Sequence, residues 1–166
     1  MKKIIYLFIA LVMGVSTLKA QQNKGVVKIN PLSLAIGVFN AAYEIPLSEK
    51  SSFQVGANYF NYKNLDISGF GLSAEYRFYF SNNNEAPEGI FVAPQLRVSS
   101  FSYTGYQDTE KLISLGGGFK GGYQWIWDSG VGLDLFAGYG YQAAKFESYD
   151  YTGGFPIFGI AVGYAF

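Results

Sequence analysis

The chain has 166 residues, with 12 Lys and Arg against 12 Asp and Glu, and contains neither Cys nor His. The missing Cys excludes disulfides and thiolate metal centres, and the missing His removes the commonest general base and metal ligand. Aromatic residues reach 19% while charged residues fall to 14%, against about 25% charged in an ordinary soluble domain.

Met1-Lys2-Lys3 is followed by an apolar run from Ile4 to Met13 and then by the small residues Gly14, Ser16 and Ala20. This order of charge, apolar core and small residues predicts a secretory signal peptide over residues 1–20, cleaved after Ala20, with residues 21–166 forming one mature domain. The run is shorter than the roughly 20 apolar residues of a transmembrane helix, and a buried core helix is the alternative. Loss of Lys2, Lys3 and Lys19 leaves nine basic residues against twelve acidic, a formal charge of −3. No basic surface for nucleic acid is implied.

From about Lys28 onward apolar residues recur at every second position, in segments of roughly ten residues separated by turn-forming clusters, the spacing of transmembrane strands. Eight strands are predicted. The first runs from about Lys28 to Ile36 and the second from about Phe39 to Leu47; Ser48-Glu49-Lys50-Ser51 turns into a third from Ser52 to Tyr62. The fourth spans about Ile67 to Phe80. Ser81 to Gly89, rich in Asn with Pro87 and Gly89, is the clearest loop. A fifth strand follows from Ile90 to about Ser102, and the polar stretch Tyr103 to Glu110 leads to a sixth from Leu112 to Trp127. The turn Asp128-Ser129-Gly130 joins this to a seventh, Val131 to Phe146, and Glu147 to Gly154 precedes the last.

One parity of each strand is free of charge. Phe70, Leu72, Ala74, Tyr76, Phe78 and Phe80 oppose Gly71, Ser73, Glu75, Arg77 and Tyr79 in the fourth strand. Val131, Leu133, Leu135, Ala137, Tyr139 and Tyr141 oppose Gly132, Asp134, Phe136, Gly138, Gly140 and Gln142 in the seventh. In the last, Phe158, Ile160, Val162, Tyr164 and Phe166 share a face opposite Gly159, Ala161, Gly163 and Ala165. A soluble β-sandwich or lipocalin-like barrel has the same period with the faces reversed. The export signal, the aromatic C-terminus and aromatic residues gathered toward both ends of the apolar faces favour a barrel in lipid. The predicted fold is all-β, an eight-stranded antiparallel up-and-down transmembrane β-barrel. An even strand count returns both termini to one side, the periplasm for an exported barrel.

The chain resembles the small outer-membrane β-barrel proteins, the class of outer membrane protein X and the barrel of outer membrane protein A. Asn30-Pro31-Leu32-Ser33-Leu34, Ala74-Glu75-Tyr76-Arg77-Phe78-Tyr79-Phe80 and Ala86-Pro87-Glu88-Gly89 carry a closer likeness to uncharacterised short-loop relatives of that class. The resemblance implies a cell outer-membrane location, outer-membrane lipids and lipopolysaccharide as surroundings, and Tyr164 and Phe166 as a signal read by the outer-membrane assembly machinery.

Candidate chemistry is sparse. Gly116, Gly118 and Gly121 satisfy G-x-G-x-x-G, but Tyr123 to Trp127 continues as strand where a dinucleotide site needs a helix. Those glycines instead suit a bending wall with room for large inward side chains. The inward charged set, Glu44, Glu75, Arg77, Arg97, Lys120 and Asp134, contains equal numbers of acids and bases, with Gln54, Asn58, Gln95, Gln124 and Gln142 around it. A filled, self-neutralising lumen is predicted; an ion path or a carboxylate pair for acid–base catalysis is the alternative. Ser99, Ser100 and Ser102 have no evident activating base, and the spacing of Asp108, Glu110 and Asp150 matches no calcium loop. Tyr103, Tyr106, Tyr149 and Tyr151 sit in the presumed outer loops, where tyrosine offers contact area with few rotors. The expectation is a non-enzymatic barrel without cofactor or metal, with a structural, envelope-integrity or surface-interaction role and an unidentified surface ligand. A small-molecule or lipid carrier is the alternative.

Overall fold

The computed structural model describes residues 25–62, 67–81, 85–104, 109–145 and 150–166. The predicted signal peptide, residues 63–66 and 82–84, and the loop tips that carry Tyr106, Asp108 and Tyr149 lie outside them. Eight antiparallel strands form a closed barrel: β1 (Val26–Ile29), β2 (Val38–Ser48), β3 (Ser51–Tyr62), β4 (Ile67–Tyr79), β5 (Gly89–Thr104), β6 (Thr109–Ile126), β7 (Val131–Lys145) and β8 (Asp150–Ala165). Each strand pairs with its chain neighbours, and β1 closes the circle on β8 by pairing Val26 with Ala165.

Seven of the predicted strands stand where the alternation puts them, although β8 begins at Asp150, inside the stretch Glu147 to Gly154 expected to precede it, because Asp150 to Gly154 continue the ladder with β7. The first is different. Predicted from Lys28 to Ile36, it ends at Ile29, and a five-residue helix α1 (Pro31–Ala35) follows. Asn30 caps α1, its side-chain oxygen accepting from Ser33 N–H, while Pro31 occupies the first turn and Gly37, at φ 80°, ends it. Leu32, Leu34 and Ile36 satisfy a strand's alternation; the capping residues override it, because Pro31 has no N–H for a ladder.

The faces sort by chemistry. Phe70, Leu72, Leu96, Leu115, Phe119, Leu135 and Phe158 are exposed on the outside, whereas Lys28, Glu44, Glu75, Arg77, Lys120 and Asp134 are buried inside. A water-soluble barrel has the opposite arrangement, so the surrounding solvent of this one is hydrocarbon. Outward rings also pair along the wall, Tyr43 with Phe166 at 6.2 Å and Tyr123 with Trp125 at 4.3 Å between centroids.

Glycines let the wall close around the large inward side chains. A Cβ on Gly118 would lie 2.6 Å from the Cα of Gly140 on β7, and one on Gly122 would lie 2.9 Å from the Phe91 ring. Strand β6 runs unbroken through Gly116, Gly118 and Gly121, as a wall strand rather than a strand-to-helix phosphate turn.

The end of the barrel that holds Gly25 and Phe166 also holds the β2–β3 turn, the β4–β5 connection and the turn at Gly130. The β4–β5 connection is folded back onto the barrel. Ala86 and Pro87 are buried, Ala86 N–H donates to Glu49 O at 2.8 Å, and Ala86 packs with Tyr79, Phe91 and Ala93.

Candidate functional site

Five strands send charged side chains to one level of the lumen, just above the plug of Tyr79, Ala86 and Phe91. Because each lies on the inward parity of its strand, burial is imposed by the fold, and only pairing makes it tolerable. Arg77 on β4 is the hub. Its guanidinium meets Asp134 of β7 at 2.8 Å, Glu75 at 3.2 Å and Glu44 of β2 at 3.7 Å. Lys28 of β1 bonds Glu44, Gln124 and, at 3.0 Å, Asp134. Lys120 of β6 meets Glu75 at 2.7 Å.

Neutral donors add to the shells of Glu44 and Glu75, while Asp134 Oδ1 is buried without a hydrogen-bond partner. Ser52 and Tyr79 hydroxyls both donate to Glu44 Oε1, and Gln54 donates to Glu75 at 3.1 Å. The cations also rest on aromatic faces: the Arg77 guanidinium carbon is 4.2 Å from the Phe91 ring centroid and the Lys120 ammonium 4.1 Å from that of Phe136. A cluster satisfied from so many sides is a rigid crosslink between walls that otherwise touch only their neighbours.

Of the six residues singled out in the sequence, Glu44, Glu75, Arg77, Lys120 and Asp134 meet in this cluster. Arg97 does not. It makes no ion pair among the described residues, and its guanidinium carbon lies 5.7 Å from the centroid of Phe155 on β8. Lys28 and Ser52 are network members that the sequence reading passed over. Lys28 stood at the edge of a predicted strand, where parity carries little weight; with β1 starting at Val26, Lys28 becomes an inward position. Above the network a cavity of about 60 Å³ is lined by Arg97, Lys120, Gln54, Gln95, Asn40 and Phe136 among others. It has room for a few waters, at roughly 10–15 Å³ each.

Tyr164 and Phe166 lie on the exposed outer face at the C-terminal end, and Phe166 N–H donates to Gly25 O. Tyr103 and Tyr151 fall within the ends of β5 and β8. No helix among the described residues is long and apolar enough to cross a membrane; the crossing elements here are strands. Among the described residues no group of three or more Asp and Glu is placed to hold a metal ion.

A charged, closed interior within an apolar, eight-stranded wall defines the class of small outer-membrane β-barrels. Two solved barrels of that class have the same fold. The Neisserial surface protein A structure superposes with a TM-score of 0.58 at 16% identity, over 87% of this chain and 96% of that one. The N-terminal β-barrel domain of Pseudomonas aeruginosa OprF gives 0.51 at 11% identity, over 87% and 98%. By sequence the chain belongs to the family described as "Protein of unknown function (DUF3575)", whose pattern matches residues 5–155. No curated protein matches the sequence significantly.

Proposed function

We propose that the protein is a non-enzymatic integral barrel of the cell outer membrane, with a structural, envelope-integrity or surface-interaction role. The observation that carries this reading is the inside-out partition: ion pairs at Arg77, Lys28 and Lys120 in the lumen, and exposed Leu, Ile, Val and aromatic side chains around the outside. An interior crosslinked by its own charges suits a rigid membrane body better than a turnover site, since each carboxylate is already committed to a cation.

In this reading residues 1–20 are an export signal, and both termini lie in the periplasm. Outer-membrane lipids and lipopolysaccharide surround the apolar face, the assembly machinery reads Tyr164 and Phe166, and Tyr103, Tyr106, Tyr149 and Tyr151 are the candidate contacts for a surface ligand. No cofactor and no nucleic acid takes part.

Fractionation, gel migration, surface labelling and activity assays test it. The protein should fractionate with detergent-insoluble outer membrane and migrate faster on a gel when unboiled; recovery as a soluble periplasmic protein overturns the reading in favour of a carrier. With single cysteines at Thr152 and Ser129, an impermeant maleimide applied to intact cells should label the first alone. Labelling of Ser129→Cys alone reverses the orientation. An enzymatic activity lost on changing Glu75 or Asp134 would overturn the non-enzymatic assignment.

A further inference from the structure

Strand β1 leaves the barrel wall early. In the β1–β8 register Val27 pairs with Tyr164 and Ile29 with Val162, so the next pair of that kind would set Pro31 against Ile160. Proline has no N–H to give, and the chain turns into α1, which touches both β2 and β8. Backbone groups point alternately to the two sides of a strand: Phe166 N–H donates to Gly25 O on the β1 side, Ala165 N–H to Gly130 O on the β7 side. Ile160, Phe158 and Pro156 therefore direct their backbones toward β1's side, where no strand of the described residues pairs with them. Pro156 fits this edge because it has no donor to leave unpaired. In hydrocarbon such an edge is tolerated only against protein or beside a polar cavity.

A polar cavity is what stands behind it. The space of about 60 Å³ above the ion-pair network reaches Asn30, Asn40, Ile157 and Ala161, the residues flanking the missing stretch of wall. Outside, an apolar groove of about 500 Å³ runs beside α1, bounded by Leu32, Gly121, Ala137, Phe158 and Ile160. Phe136 lines both spaces, and between them Gly159 contributes no side chain. A Cβ there would come within 2.6 Å of the Phe136 ring and 2.8 Å of Asn30 Nδ2.

We propose that this gap is a lateral portal that admits one single-chain anionic amphiphile from the surrounding lipid, a long-chain fatty acid. Its carboxylate enters the lumen at Arg97 and Lys120, and its chain lies in the groove beside α1. The proposal rests on the membrane-embedded reading and adds a ligand to it. Charge selects the head: Lys28, Arg77, Arg97 and Lys120 face only Glu44, Glu75 and Asp134 across the lumen, an excess of one positive charge among the described residues. Of these four lumen cations Arg97 makes no ion pair among the described residues. Its Nε is buried without a hydrogen bond, and its guanidinium reaches across to Phe155, on the same open-edged strand. Size selects it too, since the cavity admits a carboxylate but not a sugar or glycerophosphate head. Groove and portal supply what a free anion does not need, a path for an apolar chain.

The test is native mass spectrometry of the full mature barrel in nonionic detergent, with palmitate, hexadecanol and butyrate as probes. One palmitate per barrel is expected, with hexadecanol and butyrate at least about tenfold weaker, because head and chain each lack one half of the site. Arg97→Gln should bring palmitate down to the level of hexadecanol. Ala137→Phe, which fills the groove from the lipid face, should weaken palmitate and hexadecanol together. Equal retention of palmitate and hexadecanol, or palmitate unaffected by Arg97→Gln, overturns the proposal in favour of chain adhesion to the outer wall. Butyrate binding as well as palmitate overturns it in favour of an anion site with no portal. Each variant is checked for the fast-migrating unboiled form; if Arg97→Gln does not fold, the palmitate-to-hexadecanol ratio and Ala137→Phe decide by the same criteria. Failure of the embedded reading shows separately, as an unaltered chain with no heat-modifiable form.

Discussion

At the scale of the residue, position on one side of the wall or the other sets the cost of every charge. Arg77 is fully buried, yet it bonds Glu75, Gln124 and Asp134 together, so its removal takes one cation from two carboxylates at once and leaves Glu75 to Lys120 and Asp134 to Lys28. Breaking a buried pair by deleting one partner costs about 3–5 kcal/mol, and Arg77→Leu should lower the unfolding free energy of the refolded barrel in urea by that order. A loss below about 1 kcal/mol would mean that water reaches the network and screens it. The outward face answers to lipid instead. Leu135→Arg puts a cation on the apolar side at a cost of about 2–4 kcal/mol near the bilayer midplane, whereas Gln142→Arg adds one to an interior that already holds polar groups. Membrane yields of the folded form should drop for the first variant and hold for the second; equal yields would show that the two faces are misassigned.

At the scale of the element, α1 is the departure from an otherwise regular wall. Its start is set by the bond from Ser33 N–H to Asn30 Oδ1 at 3.1 Å and its end by Gly37 at φ 80°, whose N–H donates to Leu34 O at 3.0 Å. A β-branched residue is strained in that left-handed conformation, by about 1–2 kcal/mol, while asparagine adopts it more readily. Gly37→Val should therefore lower the urea midpoint of unfolding and Gly37→Asn should leave it nearly unchanged. If both variants behave alike, the turn into β2 is not held by α1's C-terminal cap. The length of β1 has the same origin: it stops where Pro31 would have to donate, and β8 beyond Val162 is left without a strand partner on that side among the described residues.

At the scale of the whole molecule, the wall is uneven. Strands β5 to β8 have 16, 18, 15 and 16 residues, against 4, 11, 12 and 13 in β1 to β4. The shorter wall lies beside the gap at α1, and the base of the lumen is shut twice, by the ion-pair network and by Ala86 and Pro87 tucked beneath Tyr79 and Phe91. An eight-stranded barrel is only side-chain-wide inside, so these groups leave no continuous aqueous path along the axis. Purified protein in planar bilayers should show no sustained single-channel current; steady, well-defined conductance steps would require the network to open.

The sequence by itself determines the two faces of the wall, since they follow from a period of two that any single strand displays, whereas closure rests on the pairing of β1 with β8. Glu75 and Arg77 alternate with Ala74, Tyr76 and Phe78 on one strand, so their inward placement needs no knowledge of the other seven. Which carboxylate meets which cation is another matter. The contact of Lys28 with Asp134, 106 positions away, depends on the stagger accumulated around the whole circle, and no local pattern encodes it. Asn30-Pro31 and Gly37 do signal a helix start and stop, but Leu32, Leu34 and Ile36 fit a strand equally well, and only the absence of a donor at Pro31 against β8 decides between them. The tertiary structure alone therefore decided the membership of Lys28, the isolation of Arg97 and the break in the wall at α1, because each depends on what stands opposite across a lumen or a strand edge.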